Sequence, residues 1–149
     1  MVIAYVGLGS NLGNKKKNIT KAVQLISHVP GIHMVACSRL YKTKPMYEKK
    51  QPDFINGVVK IKTRLKAEQL LKSLKEIERA LGRRVSYRYG PRAIDLDVLL
   101  YGKNKFKKKS LIIPHKRMHE RMFVLKPLVE ISPGAVHPGF HRRCAGIIP

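Results

Sequence analysis

The order of hydrophobic and polar residues predicts a strand and then a helix in the first thirty positions. Residues 2–8 are almost entirely apolar and predict a buried β-strand. A turn rich in glycine and asparagine follows, and Asn14 is a candidate N-cap for a helix over about 15–28. Pro30 and Gly31 end that helix. Its apolar face consists of Ile19, Ala22, Val23 and Ile26.

The same criteria predict two further strands and a second helix. Residues 33–41 and 54–62 have strand patterns, and the proline-bounded segment 43–53 between them predicts a mobile loop. The most regular helical pattern covers 67–81, and Gly82 after it is a typical C-terminal cap. With one more strand after an arginine-rich segment, the predicted order is β-α-β-β-α-β.

The C-terminal third has a less regular pattern. Residues 102–110 predict a polar, lysine-rich turn, and 111–113 a short apolar strand. Residues 114–125 predict a loop and a short helix leading to Pro127. The glycine- and proline-rich segment from residue 133 predicts no definite element.

Two aspartates, Asp95 and Asp97, lie in the predicted strand that follows the arginine-rich segment. Alternation places them on one face with Leu99 and Tyr101, and places Ile94, Leu96, Val98 and Leu100 on the other. Alternate residues of a strand lie about 6.5–7 Å apart, so two carboxylates there can hold a pair of divalent cations. Because oxygen ligands suit Mg²⁺, we predict that Asp95 and Asp97 bind two Mg²⁺ ions. The alternative is a solvated pair on an edge strand.

The surrounding residues favour the functional interpretation of this pair. Aspartate is disfavoured in strands, and Asp53 is the only other aspartate in the chain. Arg88 and Arg92 flank a Tyr-Gly-Pro turn directly before the pair. Arginine forks onto phosphate oxygens, so acids that hold cations beside arginines predict a polyphosphate site.

Other types of site fit the sequence less well. Gly7, Gly9 and Gly13 have the spacing GxGxxxG, one residue too long for a dinucleotide-binding loop, and a Walker A pair is absent from the sequence. Close packing and a tight turn are the favoured role of these glycines. His115 and His119 are four residues apart, but Pro114 places the first in a loop, so a zinc site is disfavoured.

Composition predicts one globular domain over residues 1–149. The sequence has no long apolar segment and no signal-peptide pattern, and its two cysteines lack metal-binding spacing, so we expect a cytoplasmic protein without membrane association. We also expect a monomer. The net charge of +22 suggests nucleic-acid binding. Because the lysines are dispersed and not interleaved with aromatics, we expect that binding to be at most incidental. A basic field also attracts a nucleoside triphosphate.

Three segments carry a family resemblance that runs in register from about residue 2 to residue 138. They are YVGLGSNLG at 5–13, YGPRAIDLDVLLYG at 89–102, and 113–128 with its Ile-Pro-His and Arg-x-Phe. Together they resemble 6-hydroxymethyl-7,8-dihydropterin pyrophosphokinase of folate biosynthesis. The resemblance implies a Mg²⁺-dependent enzyme that transfers diphosphate from ATP to the pterin hydroxymethyl group and releases AMP. It also implies a single-domain, ferredoxin-like α+β sandwich, which fits the predicted element order.

Carried over position by position, the resemblance assigns roles to individual residues. Asp95 and Asp97 would bind both metals and, with Arg92, support catalysis. The residues that it assigns to ATP are Arg83, Arg84, Arg92, His115 and Arg121. The local sequence adds two more: Arg88, beside the turn before the aspartates, and Glu78, near the C-terminal end of the second helix, for which a solvated helix surface is the equal alternative. Those expected to bind the pterin are Thr43, Pro45, Phe54, Asn56, Tyr89 and Phe123, with the two phenylalanines stacking on its ring and Asn56 bonding its polar edge.

The rival interpretation is a small RNA-binding domain on the same ferredoxin-like frame. High positive charge makes steeply salt-dependent binding an expectation of both interpretations, so charge does not discriminate between them. Formation of AMP from ATP only in the presence of the reduced pterin is expected of the enzyme alone.

Overall fold

The computed structural model describes residues 1–45, 50–82, 93–139 and 142–146. The strands are β1 Val2–Ser10, β2 Ile32–Cys37, β3 Tyr41–Thr43, β4 Phe54–Thr63, β5 Asp95–Tyr101, β6 Phe106–Lys108, β7 Leu111–Ile113, β8 Val136–His137 and β9 Arg142–Arg143. The helices are α1 Lys15–Ser27, α2 Ala67–Ala80 and α3 Met122–Ile131, with 3₁₀ turns at Met118–Glu120 and Cys144–Gly146.

The main sheet is antiparallel, with strand order β2-β4-β1-β5 and with β3 also pairing with β4. Helices α1 and α2 interrupt the strands so that the four longer strands and two helices follow the order β-α-β-β-α-β. The ferredoxin-like α+β architecture predicted from the sequence is therefore confirmed. Two small hairpins, β6-β7 and β8-β9, and helix α3 extend it.

Both predicted helices form close to their expected bounds. The side chain of Asn14 accepts a hydrogen bond from the Lys17 N–H at 3.2 Å and caps α1. Gly82 follows α2 in the left-handed conformation with φ of +88°, which explains the glycine at this position. Helix α3 differs from its prediction, because it continues through Pro127 to Ile131 and buries Leu125 and Leu128.

The predicted strand over 33–41 is two strands, β2 and β3, separated by an irregular segment. Cys37 pairs with Val59, and Tyr41 pairs with Asn56. Between these two pairs, the three residues 38–40 lie opposite only two residues of β4, 57–58. At this bulge the Ser38 hydroxyl accepts the Val58 N–H at 2.9 Å. A side-chain oxygen thus replaces a backbone acceptor and interrupts the strand.

Apolar side chains form a core on each face of the sheet. On one face, Ala4, Val6 and Leu8 of β1 pack with the apolar faces of α1 and α2. On the other face, Tyr5 and Val58 pack with residues of α3 and the preceding 3₁₀ turn. Within the described residues, no helix has both the length and the apolar composition needed to cross a membrane.

The alternation predicted for β5 is wrong at its C-terminal end. Tyr5 of β1 pairs with Leu100 and Val6 pairs with Val98, so Leu99 is an extra residue at a β-bulge. Leu99 and Leu100 both join the core on the α3 face, whereas Tyr101 packs on the α1–α2 face. The prediction had placed Tyr101 with the aspartates and Leu100 opposite them.

Replacing Asn14 with alanine removes the α1 N-cap and should lower the free energy of unfolding by about 1 kcal/mol. Asn14→Gly is the matched control, and its cost should be only a few tenths of a kcal/mol, roughly, because glycine leaves the N-terminal N–H groups accessible to water. Urea denaturation at 25 °C measures both values. Equal losses in the two variants would contradict the capping role of Asn14.

Candidate active site

One cavity of about 270 Å³ lies on the α3 face of the sheet, between β1, β4, β5 and the start of α3. It brings together residues that are distant in the sequence. The predicted site residues that line it are Thr43, Phe54, Asn56, Asp95, Asp97, His115, Arg121 and Phe123. Members of the predicted metal-binding, ATP-binding and pterin-binding sets therefore line a single cavity.

Two glycines of β1 form the cavity floor. Gly7 pairs with Asp97 and Gly9 pairs with Asp95 across the β1–β5 ladder. A Cβ atom on Gly7 would lie 3.3 Å from Leu99 Cδ2, and one on Gly9 would lie 2.9 Å from Asn56 Oδ1. Both glycines are thus needed for close packing, and their lack of side chains leaves room above the aspartates.

The two aspartates project into this cavity from alternate positions of β5. Burial, and then the charge of Asp95, raise the pKa of Asp97 to about 7. The charges of Lys75 and Arg121 act in the opposite direction. Two carboxylates in a partly dry cavity resist ionising together, and a nearby cation relieves that repulsion.

This donor set fits Mg²⁺. The part of the chain that the structure describes contains no group of three or more histidine, cysteine and acidic side chains arranged to hold a metal ion. A pair of carboxylates is nevertheless enough for Mg²⁺, since this ion keeps several waters and takes further ligands from substrate phosphates. Asp95 and Asp97 are the described residues that could hold it.

His115 lies beside the aspartates as a neutral imidazole. Burial, and then the charge of Arg121, lower the pKa of His115 to about 4. Its Nδ1 accepts the Arg117 N–H at 3.3 Å, so the ring proton is on Nε2, which lies 3.9 Å from Asp97 Oδ2. His115 can therefore donate a hydrogen bond from Nε2 at neutral pH.

Strand β5 lies at one edge of the main sheet, and residues from outside the sheet bond the side that faces away from β1. The Leu96 N–H donates to Glu78 Oε2 of α2 at 2.8 Å, and the His115 N–H donates to the Leu99 carbonyl at 3.0 Å. The first of these bonds lies between the two aspartates. The second fixes the backbone of His115 beside them.

Glu78 occupies a different place from the other predicted ATP-binding residues. Its side chain is only 1% exposed and does not line the cavity. Besides its bond to Leu96, its Oε1 lies 3.2 Å from Lys75 Nζ. Glu78 therefore lies outside the cavity and supports β5, the strand that contains the aspartates, through the hydrogen bond with Leu96.

An amide and two aromatic rings occupy the part of the cavity formed by β4 and α3. Asn56 Nδ2 donates to Thr43 Oγ1 at 2.5 Å, which turns Asn56 Oδ1 toward Gly9. The Arg121 guanidinium lies 5.5 Å from the centre of the Phe123 ring, a cation–π contact that orients both side chains. Together with Phe54, these groups offer stacking surfaces and an amide edge to a planar heterocycle.

Three polar residues that line the cavity were not predicted from the sequence. They are Lys44, Gln51 and Lys75. Gln51 accepts a hydrogen bond from Asn11 Nδ2 at 2.6 Å, which ties the segment before β4 to the end of β1. The sequence feature that could have indicated Lys75 was its position three residues before Glu78 on the same helix. Because lysines occur throughout the chain, this spacing did not distinguish Lys75 from the others.

The remaining predicted residues divide into two groups. Pro45 is half-buried next to Lys44 and does not line the cavity. Arg83, Arg84, Arg88, Tyr89 and Arg92 lie outside the described residues.

A protein-family model matches most of the chain. The model is described as 7,8-dihydro-6-hydroxymethylpterin-pyrophosphokinase, and it matches residues 5–133. The chain belongs to this family. The resemblance found in the sequence is thereby confirmed, and the matched region includes every described residue of the cavity.

Relatives of the chain within the pyrophosphokinase family include long and short proteins. The folic acid synthesis protein fol1 of Pneumocystis carinii is 52% identical over 134 residues, which are 90% of this chain and 18% of that protein. A Haemophilus influenzae protein named 2-amino-4-hydroxy-6-hydroxymethyldihydropteridine pyrophosphokinase is 43% identical over 93% of this chain and 86% of its own length. The chain thus spans less than a fifth of the fungal relative.

Solved structures of the family share the fold at low sequence identity. The Plasmodium falciparum HPPK-DHPS crystallised with pteroate superposes with a TM-score of 0.77 and is 15% identical over 98% of this chain and 43% of that chain. At this identity the superposition supports the architecture alone.

Replacing Gly9 with alanine should disturb the cavity at Asn56. The new methyl group would lie 2.9 Å from Asn56 Oδ1, so the amide must move, at an expected cost of about 1–3 kcal/mol in the free energy of unfolding. Nuclear magnetic resonance should show shifted Asn56 side-chain amide signals. Gly134→Ala is the control, because nothing lies within 4 Å of a Cβ there. Unchanged Asn56 signals in Gly9→Ala would contradict the described packing.

Proposed function

We propose that this protein transfers the terminal diphosphate of ATP to 6-hydroxymethyl-7,8-dihydropterin, giving the pterin diphosphate and AMP for folate synthesis. The observation that carries the proposal is the meeting of three groups in one cavity. These are an aspartate pair suited to Mg²⁺, the donors His115 and Arg121, and an amide with two phenylalanines suited to a pterin. Membership of the pyrophosphokinase family supports the same activity.

In the proposed reaction the pterin hydroxymethyl oxygen attacks the β-phosphorus of ATP in line with the bond to the α-phosphate oxygen. A new O–P bond forms, the bond between the β-phosphorus and that bridging oxygen breaks, AMP leaves, and the hydroxyl proton passes to solvent. Phe54 and Phe123 would hold the ring by stacking, while Asn56 bonds its polar edge. Arg121 and the Nε2–H of His115 would bind phosphate oxygens and stabilise their developing charge.

Mg²⁺, held by Asp95 and Asp97, would neutralise phosphate charge and orient the triphosphate for attack. We propose two such ions, as two carboxylates on one strand face can bind terminally or bridge. We propose that Arg83, Arg84, Arg88 and Arg92 bind ATP, that Arg92 also supports catalysis, and that Tyr89 binds the pterin, as expected from the sequence. Pro45 is proposed to contact the pterin from the rim.

We also propose that residues 1–149 form one pyrophosphokinase domain that acts as a monomer in the cytoplasm. Residues 46–49 of the predicted loop 43–53, like residues 83–92, lie outside the described residues. The dispersed positive charge would attract the anionic nucleotide, with nucleic-acid binding only incidental.

The purified protein should form AMP, and not ADP, from ATP and Mg²⁺ only when 6-hydroxymethyl-7,8-dihydropterin is present. Separation of nucleotides by anion-exchange chromatography, with and without the pterin, measures this directly. ADP as the main product, or AMP formed equally without the pterin, would refute the proposed reaction. RNA binding without AMP formation would instead support the rival binding domain.

Asp97→Asn should lower AMP formation by at least about 100-fold, because the amide keeps the shape of the side chain but removes one of the two charges that hold the cations. Its thermal unfolding should stay cooperative. Glu76→Gln, which removes an exposed charge from α2, is the control and should keep full activity. Turnover by Asp97→Asn within a few-fold of the unaltered protein would exclude the metal-binding role.

A further inference from the structure

Lys75 and Glu78 form an ion pair on α2 at the wall of the cavity. Lys75 Nζ lies 3.2 Å from Glu78 Oε1, one helical turn along α2. The two side chains differ greatly in exposure, at 43% for Lys75 and 1% for Glu78. The carboxylate is therefore fixed inside the protein, while the lysine chain extends from it into the cavity that also contains the aspartates.

Glu78 connects this lysine to the aspartate strand. Its second oxygen, Oε2, accepts the Leu96 N–H at 2.8 Å, and Leu96 stands between Asp95 and Asp97 in β5. One buried carboxylate therefore bonds the edge of β5 and the Lys75 ammonium at the same time. This arrangement fixes the ammonium relative to the proposed metal-binding residues and limits the entropy lost when it binds a ligand.

The charge balance of the cavity gives the ammonium a function beyond this ion pair. A triphosphate brings several negative charges into a cavity whose wall already contains Asp95 and Asp97. An ammonium has three N–H donors, and the bond to Glu78 uses one of them. A half-exposed ammonium held at the cavity wall can direct another donor to a phosphate oxygen at little desolvation cost. The competing explanation is that Lys75 serves only as the counter-ion that allows Glu78 to be buried.

We propose that Lys75 binds the phosphate oxygens of ATP and that Glu78 is a positioning residue, which holds the Lys75 ammonium and the edge of β5 in register. This inference rests on the proposed function and adds a binding residue to it. It also changes the role expected for Glu78, from a contact with ATP to an action through Lys75 and Leu96.

The test compares Glu78→Gln with the double variant Lys75→Gln/Glu78→Gln. Glutamine at position 78 still accepts the Leu96 N–H and removes the buried charge, so neither variant contains an unpaired carboxylate. The two proteins differ only in the lysine. Isothermal titration with ATP and Mg²⁺ measures nucleotide binding, pterin fluorescence measures pterin binding, and thermal unfolding verifies that each variant folds. Lys72→Gln, an exposed lysine one turn earlier on α2, is the matched control.

We expect the double variant to bind ATP about tenfold more weakly than Glu78→Gln, with pterin affinity unchanged, and we expect Lys72→Gln to bind ATP like the unaltered protein. The KM for ATP should rise in the double variant while the KM for the pterin does not. ATP affinity that is equal in the unaltered protein, in Glu78→Gln and in the double variant would overturn the proposal and leave Lys75 as a counter-ion only. An equal loss in Lys72→Gln would also overturn it, because general surface charge would then explain the effect.

Failure of this inference differs from failure of the proposed function. If the unaltered protein forms AMP in the presence of the pterin but the lysine makes no difference to ATP affinity, only the role of Lys75 is lost. If the unaltered protein binds ATP without forming AMP, the proposed reaction fails while the binding comparison still decides the role of Lys75. If the unaltered protein does not bind ATP, both are refuted.

Discussion

Strand β5 lies at the edge of the main sheet, and the backbone groups on its outer side need partners because this side is covered by other parts of the chain. Glu78 of α2 accepts the Leu96 N–H, and the His115 N–H donates to the Leu99 carbonyl. Each bond stabilises the edge of the sheet and also positions a group of the candidate site. The aspartates, the histidine and the ion pair on α2 are therefore arranged by the same hydrogen bonds that complete the sheet.

The cavity depends on how β1 and β5 pair. Gly7 and Gly9 oppose the two aspartates and leave the space above them open, and the bulge ends the alternation between Leu99 and Leu100. Because of that bulge, Leu99 and Leu100 both pack under α3, and the polar part of β5 is followed at once by a hydrophobic wall. A planar ring and a charged chain can thus occupy neighbouring parts of one cavity.

Burial gives the charged groups of this cavity unusual properties. The pKa of Asp97 is raised and that of His115 is lowered, in each case chiefly by loss of solvent. Near neutral pH Asp97 is therefore partly protonated in the absence of a cation, and His115 is a neutral imidazole that donates from Nε2. The many surface lysines contribute a general attraction for anions, whereas the specific contacts depend on a few side chains with fixed neighbours.

The sequence by itself determined the element order, both long helices with their caps, the aspartate pair on one strand face and the family to which the chain belongs. These features are local, because helix periodicity, strand alternation and capping depend on residues a few positions apart. It did not determine the break at Ser38, the bulge at Leu99 or the place of Lys75. Those depend on pairing between strands and on packing of α2 beside β5, which join residues from 18 to more than 90 positions apart. Only the tertiary structure could decide that Glu78 lies outside the cavity and bonds the aspartate strand, and that Asp95, Asp97, His115, Arg121, Asn56 and Phe123 line one cavity.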